Sequence, residues 1–509
     1  MTPPLTTTMM KKLFLFTAFC LTYLFSPAQE WSINYVGNYP NGRTHFHDGI
    51  IDEDGVTFLA GQEGYDSDTP EALFMRIDPN GEHREYIYPK EGFHSKATCI
   101  IETTDHNLFA AGNLYDGTDD CLLILILDKQ LNLLEERQIP KEMGGLSFGG
   151  CKATLDSHDN IIVSTFITMS NGYQGTDQRG AFYKFDHQGN LISHRYLIGD
   201  YPDPVYFLMD FQLRQFWYNS EEETLLCLAP GYGNVMSFIT FDSAFNYIEE
   251  HPIWQDDIGK SDHTLSRDCY TDHWFSENEA LFFSSRGDAD HNKLRVSHVN
   301  TQGEILDYIR LNERTDTIDD AAPTRCMAAS NRNTFYFSFY YHTLSYYPGN
   351  ACVYLLNDQL EIIGRHIDND LDCYRSCLIL ATPDGGCITV NDSCNYQSIV
   401  TTTHPIINKL NMDDFETIPL SIKDDRPMSQ ERKAYPNPCD ELLHIPIAPL
   451  NHPHIRCQVI DHLGRIVTDR IVHDDSTLDL DVSTLKAGLY HYRIYADQTT
   501  LFTDQFIKK

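Results

Sequence analysis

Tyrosine beside carboxylate or amide recurs in this chain as Tyr65-Asp66, Tyr115-Asp116, Tyr173 with Asp177, Tyr232 with Asn234, and Tyr346-Tyr347. An aromatic face can stack on the apolar face of a pyranose while neighbouring polar groups take its hydroxyls, so these residues point to glycan or other small-ligand binding. The same residue types also build ordinary loops. Alternating carboxylates such as Asp66 with Asp68, and Asp288 with Asp290, can aim two oxygens at one hard cation. Asp288 and Asp290 are the metal candidates; no cofactor is assigned, and Ca²⁺ is the ion such loops would take. His45, His47 and Asp48 could ligate a transition metal or act as acid and base, but with no third partner in view they read as a surface histidine pair. The sequence has no Gly-x-Ser-x-Gly, no His-Glu-x-x-His and no Walker loop, so no catalytic residue is assigned. Paired acids drawn from different parts of the chain keep a second class open: a hydrolase or lyase acting on extracellular polysaccharide or peptide polymers.

These residues need elements to position them, and the chain repeats itself between residue 46 and about 420. Each pass holds an apolar strand, a polar turn, a second strand ending in small residues, a variable loop, a third strand ending at Asp or Asn, a tight turn and a fourth strand. The closing residues are Asp78, Asp128, Asp186, Asp242, Asn300, Asn357 and Asn411, at intervals of 50, 58, 56, 58, 57 and 54. A four-stranded sheet of this size cannot bury both faces alone, so each must pack on its neighbours; radial closure gives an all-β, seven-bladed β-propeller, with six or eight blades also compatible. The strand Trp31 to Val36 is expected to pair with the last blade and close the ring, in competition with Phe415 to Ile418. Loops after second and fourth strands vary most and emerge on one side, which makes that rim the candidate binding face.

Composition agrees. Aromatic residues reach 12% and long helical stretches are missing, which favours strands. Against 73 acidic residues stand 38 Lys and Arg, a net charge of −35, which makes nucleic acid and anionic membranes poor partners. Inner strands carry Cys99, Cys151, Cys269, Cys326 and Cys377, best read as small apolar fillers at a crowded centre. Cys373, Cys377, Cys387 and Cys394 crowd one stretch and could bridge, and Cys439 with Cys457 is a disulfide candidate.

The ends speak of export. Lys11 and Lys12 precede a run of 13 mostly apolar residues, and Ser26-Pro27-Ala28 suits a signal peptidase, so residues 1–28 read as a signal peptide. That run is too short to span a bilayer, which needs about 20 residues, and no transmembrane segment is expected in the mature chain. The propeller is assigned to 29–420 and a polar linker to 421–434. From Tyr435-Pro436-Asn437-Pro438 a strand-rich segment runs to the terminal Lys508-Lys509. Its turn at Gly464-Arg465 and its Gly488-Leu489-Tyr490 step complete a motif train. Residues 435–509 resemble the type A C-terminal sorting domain of cargo proteins of the Bacteroidota type IX secretion system. The resemblance implies an Ig-like sandwich, recognition by the outer-membrane translocon, and a destination outside the cell or on its surface. It places the motif on Tyr435, Pro436, Asn437, Pro438, Gly464, Arg465, Gly488, Tyr490, Lys508 and Lys509. The expected function is binding of a glycan or surface protein without catalysis.

Overall fold

The computed structural model describes residues 30–37, 43–64, 70–141, 147–170, 176–197, 215–230, 236–253, 269–276, 278–287, 292–311, 317–321, 327–331, 334–343, 349–368, 374–394, 403–417, 434–446, 455–461, 465–472, 477–496 and 499–509. Two compact units emerge, Met1–Ile418 and Pro419–Lys509. No helix among the described residues is long and apolar enough to cross a membrane.

In the first unit the described strands form seven antiparallel sheets. Their innermost strands include His45–Ile51, His94–Glu102, Lys152–Leu155, Gln215–Asn219, Cys269–Ser276, Met327–Asn331 and Tyr374–Ala381. Each contacts the next in chain order, and Tyr374–Ala381 contacts His45–Ile51, so the sheets close around an axis as a propeller. Side-chain alternation explains the cohesion. Along Thr57–Glu63, Phe58 and Ala60 pack toward the second sheet while Leu59 packs toward the seventh. Both faces are therefore apolar, and strands such as Asp120–Leu127 read as continuous hydrophobic runs. The ring closes through the N-terminal strand: Trp31–Asn34 pairs with Thr403–Leu410 at the edge of the seventh sheet. Glu416–Thr417 instead joins the outer edge of the sixth sheet, against Ile362–Asp368.

The recurring Asp or Asn has a physical job. Asp128 Oδ1 accepts the N–H groups of Gln130 and Asn132, and Asp186, Asp242 and Asn357 repeat the arrangement. The fourth residue of each such turn takes a positive φ. Where it is apolar (Leu131, Phe245, Leu360) its side chain is buried in the interface with the preceding sheet, which offsets the left-handed strain of roughly 1–2 kcal/mol. Where it is glycine, something else occupies that space: a Cβ on Gly81 would lie 2.7 Å from the Trp31 ring, and one on Gly303 2.2 Å from the Pro252 carbonyl oxygen.

Bulges recur on the inner strands as well. One extra residue enters opposite the second strand at His47, at Thr98 and at Cys377. Polar side chains beside these bulges tie neighbouring inner strands together: Asp48 Oδ2 accepts the Ile100 N–H (3.2 Å), and Thr98 Oγ1 accepts the Cys151 N–H (2.8 Å).

The second unit has a two-stranded sheet, Leu442–Pro446 with Thr477–Asp481, and a four-stranded sheet containing Ile455–Asp461, Ile466–Val472, Gly488–Ala496 and Thr499–Lys508. Both sheets contribute to one apolar core. Ala434, expected in the linker, belongs to that core at 5% exposure; the rest of 421–434 lies outside the described residues. Cys439 and Cys457, weighed as a bonded pair, are buried and free, and the Cys439 thiol donates to the Ile507 carbonyl at 3.6 Å. Cys387, one of the crowded group, is likewise buried and free.

Candidate functional site

The first two sheets supply the described part of the expected rim. Tyr115 ends the strand Leu108–Tyr115 and is 38% exposed. Its hydroxyl donates to the Gly117 carbonyl at 2.7 Å, and its ring meets the edge of His94 with centroids 5.7 Å apart. Asp116 holds the loop through one of its two oxygens. Its Oδ1 accepts the N–H groups of Asp119 and Thr118 and the Thr118 hydroxyl, which draw its pKa down to about 2. Asp177, expected in a loop, sits on the strand Thr176–Phe185 opposite Met169, because the second hairpin of that sheet extends further than its sequence suggests. Tyr65, Asp66, Tyr173, Tyr232, Tyr346, Asp288 and Asp290 lie outside the described residues. No group of three or more His, Cys, Asp or Glu among the described residues could hold a metal ion.

Below the rim the two histidines are not a surface pair, because both lie in the innermost strand of the first sheet. His45 Nδ1 meets Asp392 Oδ2 of the seventh sheet at 2.7 Å, so this hydrogen bond also helps seal the ring. His47 is the bulged residue. As a whole it is half-buried, and its Nε2 is sealed from solvent without a hydrogen-bond partner. Burial first, then the fields of His45 and Lys96, push its pKa well below 6.5; Gln62 opposes them and Lys152 adds to them. Asp120 lies nearby with Phe148 N–H on its Oδ2 at 2.6 Å, its pKa raised by burial. Sequence reasoning missed Gln62, Lys96, Asn113, Asp120 and Asp392, which come from five strands and share no motif. Two of the inner cysteines fit the filler reading: Cys99 and Cys151 are buried in one apolar cluster, and burial pushes the Cys151 thiol to about 11.

A neutral His47 has a thermodynamic signature. Above its ordinary pKa of 6.5 both folded and unfolded chains hold the imidazole neutral. As pH falls, the unfolded chain binds a proton that the folded site refuses, so stability is lost by up to about 1.4 kcal/mol per pH unit. His47→Gln is expected to flatten that slope between about pH 6.5 and 5 in urea unfolding; an unchanged slope would refute the assignment.

In the second unit the motif residues are structural. Asn437 Oδ1 accepts the Ile507 N–H (2.9 Å) and its Nδ2 donates to the Gln505 carbonyl (3.2 Å). Tyr490 donates to the Lys486 carbonyl and stacks on Phe506 at 5.6 Å. Tyr435 is exposed, Lys508 is buried at 8%, and Gly464 lies outside the described residues.

Fold and site thus define an all-β chain in which a β-propeller precedes a β-rich sorting domain. Residues 433–509 match the family described as Secretion system C-terminal sorting domain, two residues from the start read in the sequence. This tail implies export through the type IX system, contact with its machinery, and secretion or cell-surface attachment. No curated protein matches the chain. Among solved structures it is similar to a protein of unknown function from Dyadobacter fermentans, with 11% identity over 63% of this chain and 96% of that one and a TM-score of 0.39. It is also similar to the β-propeller domain of the trilobed protease from Pyrococcus furiosus, at 9% identity over 75% of this chain and 100% of that one, TM-score 0.39. Pyrococcus horikoshii acylaminoacyl peptidase shares 9% identity over 81% of this chain, which spans 59% of that protein, TM-score 0.42. At these identities the likenesses say nothing about activity.

Proposed function

We propose that this is a seven-bladed propeller of a Bacteroidota cargo protein, exported to the periplasm by its signal peptide, passed outward through its sorting tail, and used outside the cell to bind a glycan without turning it over. The observation that carries the ligand class is Tyr115: an exposed ring already fixed by its hydroxyl, by His94 and by the Asp116 turn. An aromatic platform ordered before binding loses little conformational freedom on contact with a sugar. Screening the signal-free protein against soluble polysaccharides, with and without chelator, is expected to find a ligand whose affinity falls about tenfold in Tyr115→Ala. Unchanged affinity would remove the ring from the site.

One observation favours a hydrolase or lyase instead. A carboxylate at 2.7 Å orients the His45 ring, which is how a general base is held. Product release by the native chain that disappears in His45→Ala would decide for that reading.

A further inference from the structure

A cavity of about 380 Å³ opens between the fourth and fifth sheets, on the side of the tight turns and away from the Tyr115 rim. Its origin lies in the repeat. Two residues before the turn-closing Asp or Asn, the third and seventh sheets carry Lys184 and Lys409, whose amines reach Asp156 (2.6 Å) and Asp384 (2.5 Å) in their own first turns. The fourth sheet has Thr240 at that position, and its first turn offers exposed Ser220 and Glu222 in place of an acid holding such an amine. The long side chain that would span the space is missing, and the space stays open. The equivalent groove between the seventh and first sheets measures about 240 Å³, and there Lys409 is committed to Asp384 while the Trp31 indole donates to the Pro79 carbonyl at 3.1 Å.

The walls have a chemical character. Trp217 lines one side, backed by the apolar cluster of Leu228, Phe238, Ile253, Ala280 and Val299. Glu249 and His251, 3.4 Å apart, lie on the same face of the fourth sheet at its outermost strand, at the far end of the cross-strand row Trp217, Leu226, Thr240, Glu249, while Asn278 and Gln302 line the fifth-sheet side. An indole at one end of the groove with carboxylate, imidazole and amide groups along the rest of it matches the apolar face and the hydroxyl edge of a pyranose, and the volume falls in the range of small-ligand pockets, about 300–1,000 Å³.

We infer that this groove is a second ligand site, taking a short neutral saccharide with one ring stacked on Trp217 and its hydroxyls along the polar groups Glu249, His251, Asn278 and Gln302. It stands independently of the rim: Tyr115→Ala should leave it intact. The probes are cellobiose, laminaribiose, lactose, maltose and N,N′-diacetylchitobiose, followed by saturation-transfer NMR and calorimetry on the signal-free chain. At least one is expected to bind the native chain and the Tyr115→Ala variant equally. Trp217→Ala should weaken that binding by about tenfold or more. Thr240→Lys supplies the side chain that the third and seventh sheets carry at this position and should abolish binding with thermal stability retained, so the proposal is testable even if the tryptophan variant folds poorly. No binding of any of the five sugars, binding undiminished in Thr240→Lys, or a groove that takes only a cationic probe such as tetramethylammonium would each overturn it.

Discussion

Replacing Gly112 by alanine is expected to cost the first unit about 3 kcal/mol or more, at the upper end of what overpacking exacts. Gly112 lies opposite Ala97, immediately before the extra residue Thr98. That bulge swings the inner strand's backbone over the glycine, so a Cβ there would sit 1.9 Å from the Lys96 carbonyl oxygen and 2.9 Å from the Ala97 Cα. Gly61 stands in the same relation to His45 in the first sheet, at 2.1 Å. Backbone atoms cannot rotate out of the way as a flexible side chain would. Relief would need the bulge to flatten, which would also move Thr98 away from the Cys151 N–H and loosen the second sheet from the third. Gly150 is the control, because a Cβ there meets nothing within 4 Å; its alanine variant should stay within about 0.5 kcal/mol. Urea midpoints of the two variants compared with the native chain provide the measurement. Equal midpoints for Gly112→Ala and Gly150→Ala would show that the bulged strand yields easily and that the contact is not structural.

The turns were legible in the sequence and the bulges were not, for a common reason. An Asp or Asn that accepts two backbone N–H groups leaves a letter at the end of the third strand, so Asp128, Asp186, Asp242 and Asn357 mark those strands whatever the loops between them do. The strand at Trp31 was likewise readable, since it resembles the other outer strands. A bulge adds one residue with no preferred identity: His47, Thr98 and Cys377 share nothing but position. His47 therefore looks like half of a surface pair until the extra residue places it against Gln62 and the two lysines. Phe415 to Ile418 was ambiguous because any short apolar run can cap any open edge, and register with Gly364 and Arg365 decided which. The groove at Thr240 was hidden for the opposite reason, being made by a side chain that is short where those of the third and seventh sheets are long. Such a difference carries meaning only once Lys184 and Lys409 are known to span the same space.

Removing only Gln505 to Lys509 is expected to block export as completely as removing all of residues 435–509, leaving the protein in the periplasm with its first unit folded. The reason is the way the tail's two ends are joined. The Cys439 N–H donates to the Ile507 carbonyl at 2.8 Å, the Lys509 N–H donates to the Cys439 carbonyl at 3.0 Å, and Asn437 brackets the same strand with its side-chain amide. Phe506 is fully buried, stacked on Tyr490 and packed near Tyr492. Five residues thus supply the edge that the opening motif docks on and one of the larger side chains of the core. A unit this small has little apolar burial to spare, so losing that strand should unfold it rather than trim it. A machinery that reads a folded domain would then find nothing to read, although most of the motif is still present in the chain. Asn437→Ala, which removes two hydrogen bonds and keeps Phe506, should reduce export less. Cell fractionation with a protease-resistance assay on the first unit separates the outcomes: normal appearance of the five-residue deletion outside the cell would mean that recognition depends on a linear segment and not on the sandwich.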